Sequence, residues 1–325
     1  ASAAVEPALA LAPIAIPHGE GGVGFDELRY SPRLGRVLVP AGCTGQLALV
    51  DPATGALETV AGFGRAARYS GGHGDGTTSC DEGPACLFAI DRTAKVLAIV
   101  DPVAKRISST VALAGAPDYV RYVAATNEVW VTEPDSDQLE IFSLSDAQPP
   151  VATHTAFVRT PGGPESLVID TQRGRAYTHQ WEGMTLAIDV AQRTIVGRWP
   201  NGCGGSRGIA LDVARGLLFV ACAEGVAAVL DVKSDGRVLS KTDTGSGVDI
   251  VDYDATLGHF YLPSASDASL AIFGVSTAGE LALLGKLQTT KHSSCVVTDG
   301  AGRLFVGDPA AGRVLALRDT YPASR

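Results

Sequence analysis

The sequence predicts an all-β fold in which one four-stranded unit, repeated seven times, closes into a ring. Three observations carry this. A phrase of short apolar strands recurs at roughly 42 to 50 residues along the 325-residue chain. Its second strand is found seven times, beginning at Arg36, Leu87, Glu128, Arg175, Leu217, His259 and Arg303. No apolar pattern of helical period interrupts the series, which argues against a parallel α/β fold. Four antiparallel strands per copy and seven copies make a seven-bladed β-propeller, an architecture that leaves few exposed strand edges.

The third strand of the unit ends in an acid followed by a turn. Val50-Asp51-Pro52, Val100-Asp101-Pro102, Ile188-Asp189-Val190 and Leu230-Asp231-Val232 repeat this ending. Ile141-Phe142-Ser143 and Ile272-Phe273-Gly274 hold the same place in weaker form. Turns such as Pro52-Ala53-Thr54-Gly55 then lead into alternating outer strands such as Thr194–Trp199. The seventh copy lacks its outer strand. Residues Ala12–Ile16 are expected to supply it, because an open blade would expose a strand edge. The domain reading is a tail over 1–11, one propeller over 12–318, and a second tail over 319–325.

Composition suits this picture. Apolar residues make up 46% and charged residues 19%, enough for a packed core and against disorder. Net charge is −9 and no Lys/Arg cluster stands out, so nucleic acid is excluded as an expected partner. No run of about 18 apolar residues spans a membrane. The closed ring is expected to be monomeric. Six cysteines without a CxxC motif suggest disulfides of an exported, periplasmic or secreted protein. The expected pairs are Cys80–Cys86, Cys203–Cys222 and Cys43–Cys295. The small residues at Ala1–Ala4 match what signal removal leaves, without a leader in the sequence to fix it.

The repeat phrases at Leu97–Val120 and Leu218–Gly245 resemble those of the YVTN-type seven-bladed propellers, over about residues 12 to 318. That resemblance implies a fold and leaves function open, since such scaffolds serve binding, lyase, hydrolase and dehydrogenase roles.

The first strand of each blade should line the central channel. Aligning the copies on the turn between strands one and two sets Asp26, Asp118, Glu165, Arg207, Asp249 and Ser293 on one level near the top. Blade two is irregular and offers Asp75 or Gly76. Carboxylates converging on an axis raise one another's pKa unless a cation intervenes, and their hard oxygens suit calcium or magnesium. His18, His73, His179 and His292 also map to the top, where imidazoles beside Asp75 could take zinc or copper. Trp181, Tyr119 and Phe25 could wall a ligand. The plain alternative is that the acids cap their own strands, with Arg207 as counter-ion and water in the channel.

Three functions follow. The first is a non-catalytic scaffold binding a small molecule, a metal ion or a protein at its top face. No Walker or HExxH motif is present. The second is a divalent-metal hydrolase resembling the gluconolactonase-type propellers, with Asp26 or Glu27 and Asp249 as ligands. Its expected Asn ligand is poorly served, because only Asn127 and Asn201 exist. The third is a propeller lyase or redox-partner domain using histidine and Arg207. The carboxylate ring itself requires the Glu165 and Asp249 carboxylates to face the channel.

Overall fold

The computed structural model describes residues 10–324, so residues 1–9 of the expected N-terminal tail lie outside the described chain. Seven four-stranded antiparallel sheets are arranged as blades. Among the described residues the only helical turns are short 3-10 pieces at Pro134–Ser136 and Val232–Ser234. Each second strand begins at the residue named from sequence, from Arg36–Pro40 in blade one to Arg303–Asp308 in blade seven.

The recurrent acid after strand three has a local cause. Asp51, Asp101 and Asp189 each accept two backbone N–H groups from the turn that follows. A short carboxylate that bonds the backbone two and three residues on substitutes for a turn hydrogen bond. The same turns need one left-handed residue, supplied by Gly55, Lys105 and Arg193.

Side chains alternate across each blade, so every sheet buries one set of residues against each neighbour. In blade two, Leu87 and Ala89 pack toward blade one, with Leu38, Leu47 and Val60. Phe88 and Ile90 pack the other way, with Val129, Val131 and Phe142 of blade three. Equivalent apolar layers fill the remaining interfaces between blades.

The ring closes as expected. Ile14–Ala15 pairs antiparallel with Arg313–Arg318, aligning Ile14 with Val314. Hydrogen bonds from Ala10 to Ala316 and from Ile16 to Gly312 extend the seam. The C-terminal segment folds back on blade six. Asp319 Oδ2 meets His259 Nδ1 at 2.6 Å and accepts from the Tyr261 hydroxyl at 2.8 Å, while Ser324 N donates to the Leu257 carbonyl.

One expected disulfide of the three is present. Cys203 and Cys222 are joined across the top of blade five, with Cα atoms 5.4 Å apart. The other two pairings are corrected, because Cys43, Cys80, Cys86 and Cys295 are buried free thiols. Cys80 points into the layer shared with blade one, and Cys86 into the layer shared with blade three. They lie on opposite faces of one sheet, and sequence proximity cannot overcome that. Cys43 Sγ faces the Gly22 carbonyl, whereas Cys295 packs beside Phe25 and Gly307.

Titration of the unfolded, unreduced protein with a thiol reagent should therefore count four free thiols. A count of two would restore one of the rejected bridges. Replacing both Cys203 and Cys222 by Ser should cost about 3 kcal/mol of stability in denaturant unfolding, from the freed loop between them.

Candidate functional site at the channel mouth

Strand one of each blade approaches the axis at the end where strand two finishes, which is the top. In blades one, three and six the residues just before the regular strand form the rim, so Asp26, Asp118 and Asp249 sit on irregular backbone. Glu165 and Arg207 lie at the start of strand one in blades four and five. A cavity of about 410 Å³ opens here, lined by His73, Arg92, Asp118, Glu165, Trp181, Arg207, Asp249 and Ser294, among others. Asp26 is fully buried beneath it, bonded to the same groups.

The contacts define one charged network. Arg92 Nη2 donates to Asp26 Oδ2 at 2.6 Å and also contacts Asp118, while its Nε donates to Thr78. His73 bridges the two sides of the mouth, with Nδ1 3.3 Å from Asp26 Oδ2 and Nε2 3.5 Å from Asp249 Oδ2. Trp181 Nε1 donates to Glu165 Oε2 at 2.5 Å, and the Arg207 guanidinium lies 5.9 Å from the Trp181 ring centroid. Arg207 donates to the Ser206 carbonyl and has no carboxylate within 4.0 Å among the described residues.

Burial and crowding set the protonation of this network. Burial opposes ionisation of Asp26, but His73 and Arg92 outweigh it and hold the carboxyl below its usual range. Asp26 in turn raises His73 to about 9 against the opposing effect of burial. Asp118 goes up through burial and the nearby acids, despite Arg92. Burial and Asp249 push Glu165 up to about 7, and burial and Asp26 push Asp249 up to about 6. Burial, together with the closeness of these acids to one another, therefore raises the proton affinity of three of the four mouth carboxyls.

The expected site residues divide cleanly. Asp118, Glu165, Arg207, Asp249 and Trp181 face one cavity, and Asp26 joins them from below. Glu27 does not. It follows Asp26 in an extended segment and turns to the opposite side, where it accepts from Arg121 and Ser79. Phe25 is core packing against Gly307, and Tyr119 is buried with its hydroxyl on Asp26. In blade seven Ser294 lines the cavity, one residue later than the alignment placed it.

The histidine set does not assemble. Only His73 reaches the network. His179 is fully buried, contacts the Thr185 hydroxyl and is driven down to about 3 by burial. His18 and His292 are exposed turn residues with positive φ. Asp75 is half-buried and does not line the cavity. The one group of unoxidised side chains that brings three potential metal-ligand atoms within 4.8 Å of one another, among the described residues, is Asp26, His73 and Asp249.

Arg92 escaped the sequence reading. It directly follows strand two of blade two and fills the slot that strand one of that blade leaves blank. The signal was available, since Trp181 occupies the same position after strand two of blade four. Reading the ends of strand two beside the starts of strand one would have found it.

No family model matches this sequence, and no curated protein matches it. Solved structures match it by fold. A chain in the crystal structure of the mitotic checkpoint complex superposes with a TM-score of 0.78 at 10% identity, over 97% of this chain and 93% of that one. A chain of Kuenenia stuttgartiensis hydrazine synthase gives 0.75 at 11% identity, over 92% and 96%. Both likenesses concern the seven-bladed fold alone.

Because Glu165 holds its proton to about 7 instead of the ordinary 4.5, the native protein binds more protons than the unfolded chain between those values. Stability should fall as pH rises through that window. Glu165→Gln keeps an acceptor for Trp181 Nε1 and removes the titration. Its melting temperature should vary less between pH 5 and 8 than that of the parent, by roughly the slope this linkage sets. An unchanged pH slope would remove Glu165 as a titrating member of the network.

Proposed function

We propose that the protein is an exported binding propeller that captures a small positively charged ligand at the channel mouth without turning it over. One observation carries this reading: four carboxylates of the mouth face two arginines and one histidine, and three of those carboxyls are held above their ordinary range. A bound cation would relieve that crowding. The cavity, at about 410 Å³, falls within the usual size range of small-molecule pockets. The bonded pair Cys203–Cys222 supports an oxidising, extracytoplasmic setting. The repeat phrases support an affiliation with the YVTN-type propellers.

A divalent metal ion is the second reading, favoured by the Asp26–His73–Asp249 group. One imidazole with two carboxylates suits zinc or copper better than calcium, which prefers six to eight oxygens. The chain supplies the donors and the cavity leaves room for further ligands on the ion. The lactonase reading gains no support. Its amide ligand would have to be Asn201, whose side chain is buried and bonded to Thr185, Ser206 and Cys203.

Isothermal titration with zinc chloride, calcium chloride and putrescine tests this. One of these cations should bind at a single site, and Asp249→Asn should weaken it by about tenfold or more. No saturable binding, or binding indifferent to that substitution, would remove the proposal. Turnover of a lactone or ester panel that EDTA abolishes would overturn its non-catalytic part.

A further inference from the structure

The three bases of the mouth are not equally committed. Arg92 contacts Asp26 and Asp118, and His73 lies between Asp26 and Asp249. Arg207 lines the same cavity, yet among the described residues it meets no carboxylate within 4.0 Å. Its Nη1 donates to the Ser206 carbonyl at 3.0 Å. Its Nε and Nη2 have no acceptor among the described residues, and neither atom is buried. These two donors share one edge of the planar guanidinium. Such an edge matches both oxygens of a carboxylate at once.

The free edge is held in place. Ser206 fixes one end of the guanidinium, and the Trp181 ring centroid lies 5.9 Å from it, a cation–π distance. Trp181 is itself anchored, because its Nε1 donates to Glu165 Oε2 at 2.5 Å. A side chain ordered in advance loses little freedom when an acceptor arrives.

Acids adjoin this edge. Glu165 and Asp249 line the cavity, and the Arg207 charge acts on both. Asp118 and the exposed Asp135 complete the acidic lining. A lone anion on Arg207 would meet several carboxyls. A lone cation on Glu165 or Asp249 would leave the guanidinium edge unused. A molecule carrying both charges answers both groups and brings no net charge into the cavity.

We propose that the mouth takes a small zwitterion of the α-amino-acid class, its carboxylate on Arg207 and its ammonium on Glu165 and Asp249. This rests on the cation reading above and names the second charge of the same ligand. Arg207 is then the residue that sets specificity. Ala116, Pro117, Pro134 and Val248 give apolar lining for a short side chain.

Three matched probes test this by calorimetric titration of the full chain near neutral pH. They are L-norleucine, pentylamine, which lacks its carboxylate, and hexanoate, which lacks its ammonium. Norleucine should bind saturably at one site, about tenfold more tightly than either relative. Arg207→Gln should bring norleucine and pentylamine within about threefold of each other. Arg207→Lys keeps the charge, loses the two-donor edge and should also narrow the gap. Arg207 is partly exposed, and thermal melting checks that each variant folds. A preference that survives undiminished in either folded variant overturns the proposal. Pentylamine binding as tightly as norleucine overturns the zwitterion and leaves the cation reading standing. Hexanoate binding as tightly as norleucine overturns both, since the ammonium then adds nothing. No saturable binding of norleucine overturns the zwitterion, and the putrescine titration then decides the cation reading separately.

Discussion

The dry packing of blade against blade is the constraint on which everything else in this molecule rests. Each sheet has two apolar faces, and neither can be left in water, so every blade needs a neighbour on both sides. Only a closed ring satisfies all seven. Closure then draws the first strand of every blade to a common axis, whatever residues stand there. The crowding of acids at the mouth is the direct consequence. Asp26, Asp118, Glu165 and Asp249 are distant in sequence and adjacent in space because apolar layers elsewhere hold their strands together.

The axis is organised in levels of different character. At the mouth, acids outnumber bases, and Arg92 and His73 are shared between acids from different blades. One step below, Glu27 and Arg121 neutralise each other in a buried pair, with the Ser79 hydroxyl between. That pair ties blade one to blade three across the inner strand of blade two. The difference between the levels is one of matching. Matched charges hold the scaffold together below, whereas the mouth sets four carboxyls against two arginines and one histidine.

The disulfides and histidines show how the blade geometry overrides proximity along the chain. Cys80 and Cys86 are near in sequence, yet a sheet face separates them. Cys203 and Cys222 are further apart and bonded, because the loop leading into strand one of blade five brings Cys203 beside Cys222 at the end of strand two. Among the histidines, mapping to the top was insufficient. His179 follows its strand into the interior, while His73 sits in a glycine-rich link that can cross the mouth.

The sequence by itself determined the blade number, the start of each second strand, the N-terminal closure and most of the carboxylate ring. All of these follow from a period: alternating apolar residues and acid-capped turns repeat, and a repeat can be counted without coordinates. The level of Glu27, the place of Arg92, the cysteine pairing and the fate of each histidine were decided only by the tertiary structure. These depend on which way a side chain leaves the backbone in irregular segments and on what reaches it from another blade. The period carries no information about either, because the rim residues lie where the repeat breaks down.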